Sequence, residues 1–126
     1  IEGREVFHDY EEGMAYARQT GKPVVIDFTG YGCVNCRKME AYVLDNDSVK
    51  ARLQNYVFIE LYVDDKRQSD REQGHTIGDI NSRIQREQFG ANAQPFYVQL
   101  DKDGNQITEP IAFTTDPMEF INWLKH

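Results

Sequence analysis

Cys33 and Cys36 are the only cysteines in the chain, and only Val34 and Asn35 separate them. Two thiols at this spacing can close a disulfide within one helical turn, and they can exchange it with a disulfide elsewhere. In that chemistry the thiolate of one cysteine attacks the partner's disulfide to give a mixed disulfide. The second cysteine then attacks and releases the reduced partner. The division of labour depends on where a helix begins. Unpaired N–H groups and the helix dipole at an N-terminus stabilise a thiolate. If the helix starts at the pair, Cys33 is the exposed, activated nucleophile and Cys36 is the resolving thiol one turn deeper.

Two other uses of the pair stay open at this point. Zinc takes four ligands, yet there is no second cysteine pair, and His8, His75 and His126 are scattered; a dimer could still share a metal. A purely structural disulfide is the other use, but so short a loop stabilises little.

The elements around the pair suit the redox use. Val24–Thr29 is short, β-branched and almost wholly apolar, the pattern of a central buried strand. Gly30, Tyr31 and Gly32 break it, and a helix is predicted from Cys33 to about Leu44, with Cys36, Met39, Glu40 and Val43 on one stripe. Upstream, a helix is predicted from about Asp9, its N-cap, to Thr20, ended by Gly21 and Pro23. Downstream, Asp47 is expected to cap a short helix from Ser48 to about Gln54. Tyr56–Val63 reads as a strand, and the polar stretch from Asp64 to about Thr76 as a surface loop. Ile77–Phe89 reads as a helix ended by Gly90, and Phe96–Leu100 as a third strand. A turn at Asp101–Gly104 leads to a fourth, edge-like strand over Asn105–Phe113, and Asp116-Pro117 opens a last helix. This order gives a mixed central sheet with helices on both faces.

The composition fits one globular domain over residues 5–126, with 126 residues in the chain, 40% hydrophobic and 28% charged. Ile1-Glu2-Gly3-Arg4 spells a protease recognition site. A cloning remnant and a native coincidence are both open, and these four residues are set aside from the fold reasoning. The missing Met start suggests a fragment or a processed chain. A net charge of -7 argues against nucleic acid as a partner, and no apolar run is long enough for membrane insertion.

Two acids near the pair invite roles. Asp27 is a carboxylate inside an apolar strand. Buried there, its pKa rises, and it can take and return the proton of Cys36. A solvated strand-end aspartate is the alternative. Glu40 lies one turn beyond Cys36 on the same face. It either raises the thiol pKa values by its charge or simply pairs with Arg37.

Val24-Val25-Ile26-Asp27-Phe28 followed by Cys33-Val34-Asn35-Cys36-Arg37-Lys38 resembles the signature of the thioredoxin superfamily. Asp27, six residues before Cys33, matches that family's buried acid. Gln94-Pro95-Phe96 resembles its cis-proline loop, and Tyr97–Leu100 with Asp103-Gly104 resembles the strand and hairpin turn that follow. Within the superfamily the likeness is strongest to the C-terminal periplasmic domains of the DsbD membrane electron transporters. Cys-Val-x-Cys-basic, Glu40 seven residues after Cys33, and Tyr62-Val63-Asp64-Asp65 before a long polar insertion carry it. Gly32 stands where thioredoxins usually have Trp, and Val34-Asn35 where they have Gly-Pro, so the redox potential and the partner surface differ from theirs.

The resemblance implies an α/β thioredoxin fold and a thiol:disulfide oxidoreductase that uses no cofactor other than its own disulfide, and no metal. It implies Cys33, Cys36, Asp27 and Glu40 as catalytic residues, and Tyr31, Gln94 and Pro95 as substrate-binding residues. The Gln94–Pro95 bond would be cis, and Ala93 and Gln94 would offer backbone groups to an extended partner segment. The implied partners are disulfide-containing proteins and a membrane electron-donor domain of the kind the same full-length chain can carry, with a periplasmic location. The competing expectations are a free-standing reductant for cytochrome c maturation and a non-enzymatic binding or metal module.

Overall fold

The computed structural model describes residues 4–125. The run Val24–Thr29 forms strand β2, all six residues of which are buried. Its neighbours explain why. β2 pairs in parallel with β3 (Val57–Tyr62) on one edge and antiparallel with β4 (Phe96–Leu100) on the other. A two-residue strand, β1 (Val6–Phe7), adds in parallel to the far side of β3, so the order is β1-β3-β2-β4. β1 was not expected from the sequence. Two residues carry too little period-2 signal to mark a strand.

Helices cover both faces, as expected. On one face, α1 (Tyr10–Thr20) and α4 (Ile77–Phe89) lie over Val24, Ile26, Phe28, Ile59 and Val98. On the other, α2 (Val34–Met39), a π-helical turn (Glu40–Leu44), α3 (Asp47–Leu53) and α5 (Pro117–Leu124) lie over Val25, Phe58 and Tyr97. Period-2 alternation along β2 therefore sends Asp27 to the same face as Val25, beneath α2.

The helix ends follow the side chains available. The Asp9 carboxylate accepts from the Glu12 N–H, and Gly21 takes the left-handed conformation that ends α1. Asn46, rather than Asp47, caps α3: its side chain accepts from the Ser48 and Val49 N–H groups, and Asp47 is the first helical residue. The single helix expected over Cys33–Leu44 is two pieces. After Met39 the backbone widens, and the Asp45 N–H donates to the Glu40 carbonyl 2.9 Å away, five residues back.

The expected fourth strand over Asn105–Phe113 is not a strand. It touches β4 only at the bridges Leu100–Gln106 and Tyr97–Ile111. Extending the first register would put Glu109 opposite Tyr97, so two extra residues bulge out before Ile111. Pro110, which has no N–H to donate, lies in that bulge. Arg4, set aside from the fold reasoning, is also part of the fold. Its guanidinium donates to the carbonyls of Leu53 and Tyr56 and lies 5.6 Å from the centre of the Phe58 ring. Ile1, Glu2 and Gly3 lie outside the described residues.

The fully buried residues of α4 are Gly78, Asn81 and Gln85, and Ile84 and Phe89 pack half-buried against the core. At Gly78 the helix meets the loop after β3 so closely that a methyl group would lie 2.6 Å from the Val63 carbonyl and 2.9 Å from the Asp65 N. The Gly78 N–H also donates to the Asp65 carbonyl at 2.8 Å. Gly78→Ala must push helix and loop apart. It is expected to cost about 1–3 kcal/mol, read as a lower urea midpoint. An unchanged midpoint would mean that the loop moves aside freely.

Candidate active site

β2 ends at Thr29, and Gly30–Gly32 turn the chain so that α2 starts immediately after Cys33. The Cys33 N–H donates to the Gly30 carbonyl across this turn, at 3.2 Å. Cys33 is the N-cap of α2, with extended backbone, and its Sγ accepts from the Cys36 N–H at 3.1 Å. The two cysteines are joined as a disulfide with a Cα–Cα separation of 5.2 Å. Cys33 is partly exposed, while Cys36 retains 1% exposure. The arrangement leaves one sulfur reachable and shelters the other. Val34 and Tyr31, on either side of Cys33, are among the most exposed large apolar side chains, at 67% and 57%.

Asp27 is buried beneath α2, and neither of its carboxylate oxygens has a hydrogen-bond partner among the described residues. Burial pushes its carboxyl well above the usual carboxylate range, and the charges of Glu60 and Glu40 push it further. Tyr97, directly opposite on β4, and Arg37 give only partial relief. Its neutral form is therefore favoured more than that of an ordinary carboxyl.

Glu60 was not anticipated from the sequence, where it looks like one charged residue in an otherwise apolar strand. The parallel register places it beside Asp27 on β3. Its carboxylate bonds His8 Nε2 at 3.1 Å. Glu40 pairs with Arg37 at 2.8 Å, and its charge is felt at Asp27. The same guanidinium donates to Thr29 Oγ1 and to the Tyr31 carbonyl, tying α2 back to the turn before Cys33.

Tyr31 stacks on Tyr62 of β3, with ring centres 3.9 Å apart. The pair lines a groove of about 850 Å³ shared with His8, Arg67, Arg71 and Asn81. One wall is the polar insertion after β3, which is tied down rather than loose. Arg71 holds Asp9 through two bonds of 2.7 and 2.6 Å, and Glu72 holds Arg83 at 2.7 Å. Asp64, at the start of the insertion, accepts from the N–H groups of Tyr31 at 2.9 Å and Gly32 at 3.1 Å. Partial burial pulls the Asp64 carboxyl upward, but these donors and nearby Arg37 outweigh it and hold it below the usual range.

The Gln94–Pro95 bond is cis, and Pro95 is buried. One step beyond the Phe28–Phe96 pair, Pro95 comes opposite Thr29, at the end of the sheet where the turn to Cys33 begins. Gln85 braces this loop from α4: its amide donates to the Ala93 carbonyl and accepts from the Gln94 side-chain amide, both at 2.9 Å. Among the described residues, no group of three or more His, Cys, Asp or Glu is arranged to hold a metal ion, and no helix is long and apolar enough to cross a membrane.

Known proteins resemble this chain in sequence and in fold. A family model described as a thioredoxin-like domain matches residues 10–126. The thiol:disulfide interchange protein DsbD of Yersinia pestis (strain Pestoides F) is 26% identical over 110 residues, which is 87% of this chain and 16% of that protein. DsbD 1 of Pseudomonas aeruginosa is 41% identical over 46 residues, 36% of this chain and 8% of that protein. The chain thus spans 16% or less of the length of these two relatives. Among solved structures, the reduced C-terminal domain of Neisseria meningitidis DsbD superposes with a TM-score of 0.68 at 21% identity, covering 94% of this chain and 96% of that one. A structure described as DsbH oxidoreductase gives a TM-score of 0.74 at 20% identity, covering 94% and 81%. At these identities the two structures speak for the fold. The family model covers nearly the whole chain, cysteine pair and cis-proline loop included, and the chain belongs to the thioredoxin-like domain family.

Proposed function

We propose that this domain is a thiol:disulfide oxidoreductase that passes electrons between a membrane donor domain and disulfide-containing proteins of the periplasm. The observation that carries the reading is the Cys33–Cys36 disulfide at the strand-to-helix junction, with one sulfur partly exposed and the other buried. The DsbD relatives support the choice of partners. The cysteine pair carries the two electrons as its dithiol and gives them up when the disulfide closes, so the reaction asks for no cofactor.

In the reducing direction, the Cys33 thiolate attacks one sulfur of the partner's disulfide. The partner's other sulfur leaves as a thiolate and takes a proton. Cys36 loses its proton and attacks Cys33 Sγ, which breaks the mixed disulfide. The partner departs as a dithiol, and Cys33–Cys36 is left oxidised. Asp27 is the group we assign to take the Cys36 proton and return it to the departing partner thiolate, because it lies on the face beneath α2 and its raised pKa brings it closer to that of a thiol. Gln94 and Pro95 dock the partner as an added strand. Among the described residues, neither the N–H nor the C=O of Gln94 is engaged, which leaves both for that strand. Exposed Tyr31 and Val34 give the partner apolar contact. Glu40 acts indirectly, through Arg37 and through its charge at Asp27.

Reduced protein is expected to reduce insulin disulfides, with Cys33→Ser inactive and Cys36→Ser trapped as a mixed disulfide. Limiting iodoacetamide should label Cys33 first. First labelling of Cys36 would reverse the two roles, and no reduction of insulin at all would remove the exchange reading.

Asp27 predicts a stability effect whose sign can be worked out. A carboxyl whose folded-state pKa lies above its unfolded value near 3.9 leaves the fold unaffected well below that pH. The fold then loses stability as pH rises from there toward the folded-state pKa. Asp27→Asn removes this loss. It is expected to raise the Tm by several degrees at pH 7 and to leave it nearly unchanged at pH 3. Insulin reduction by the same variant should slow at the resolving step. An equal Tm shift at both pH values would show that packing, not ionisation, is responsible.

A further inference from the structure

We infer that Asp64 is a positioning residue for Cys33: it holds the loop that presents the nucleophile and, by its charge, keeps that thiol protonated. The inference rests on the dithiol reading of the site and adds a residue to it. Both oxygens of Asp64 are used on the two residues that precede Cys33. Oδ1 accepts from the Tyr31 N–H at 2.9 Å, and Oδ2 from the Gly32 N–H at 3.1 Å. The fit depends on Gly30, where a methyl group would come within 3.3 Å of Oδ2. Tyr31 is also fixed by its stack on Tyr62, so β3 and the insertion grip the turn at two points.

A neutral side chain would do only part of this: an amide oxygen also accepts from two N–H groups, as that of Asn46 does, but it carries no charge. The carboxylate also brings a negative charge to within one residue of Cys33 and occupies two backbone N–H dipoles. Both effects disfavour a thiolate there, against the pull of the helix start. The other charged and titratable groups around the turn come from several elements. Arg37 of α2 reaches the Tyr31 carbonyl and pairs with Glu40 just past the end of α2, Asp27 lies beneath α2, Tyr62 lies on β3, and Arg67 of the insertion pairs with Asp65. Arg37 favours the thiolate and the acids oppose it, so removing Asp64 alone tips this balance one way. A protonated Cys33 reacts slowly with arbitrary disulfides, which restricts electron loss to partners that dock.

The test is the pH dependence of iodoacetamide alkylation of Cys33 in a Cys36→Ala background, where only Cys33 reacts. Asp64→Asn should move the midpoint down by about half a pH unit, the size of one screened surface charge, or about threefold in rate below the midpoint. Asp64→Glu, which keeps the charge and both oxygens, should bring the midpoint back toward the parent value. Asp103→Asn, in a distant exposed turn, should not move it. If Asp64→Asn does not fold, Asp64→Ser is read in the same way. An unchanged or raised midpoint in the neutral variant overturns the proposal, as does an equal shift in Asp103→Asn. Reduction of insulin by the unmodified protein reports separately on the exchange reading.

Discussion

Strand β2 is hydrogen-bonded on both edges and covered by helices on both faces, and the rest of the molecule is arranged around that constraint. All six of its residues are buried. A strand in that position must be apolar, short and followed by a sharp exit, because the next helix has to return across the sheet. The exit is the turn Gly30–Gly32, and the first residue able to meet solvent after it is placed for chemistry. Cys33 is partly exposed because the turn lies at the sheet's end. Cys36 is buried because, one helical turn later, α2 has come down onto β2.

The same constraint makes Asp27 costly. Its carboxylate lies in the layer between β2 and α2 with no hydrogen bond among the described residues. The neighbouring strand brings a second acid, Glu60, alongside it instead of a cation. A structure optimised only for stability would not place two carboxyl groups side by side under a helix. The arrangement suits a group that has to accept and return a proton, which is the role assigned to Asp27 in the exchange. Glu60 and Glu40 each have a partner of their own, His8 and Arg37. Asp27 alone is left to be neutralised by protonation.

Much of the remaining organisation is done by polar side chains that bond to backbone. Asn81 donates to the Tyr62 carbonyl at 2.9 Å, Gln85 holds the cis-proline loop, and Asp64 holds the turn before Cys33. They connect α4 to the cis-proline loop and the insertion to the turn before the disulfide. Buried amides in such positions fix loops more tightly than apolar contacts do, since each bond has a direction and leaving it unmade is costly.

The sequence by itself determined the elements whose signal is local. These are the apolar run of β2, the Asp9 and Gly21 ends of α1, the Pro117 start of α5, and a cysteine pair with the spacing of one helical turn. A mixed sheet with helices on both faces and a pair able to exchange a disulfide follow from these, because spacing and periodicity are properties of neighbouring residues, while the thioredoxin-like fold was what the resemblance implied. Only the tertiary structure decided which distant residues came together. β1 became a strand because β3 offered it an edge. Asn105–Phe113 failed to become one because the bulge around Pro110 breaks the ladder. Glu60 met Asp27 through a parallel register that no linear pattern specifies, and Asp64 reached the turn at Gly32 across 32 residues of chain. Glu40 paired with Arg37, three residues earlier along the chain, where the helical path brings a cation beside it. Long-range pairing is set by how the whole core packs, and the electrostatics of the site inherit that dependence.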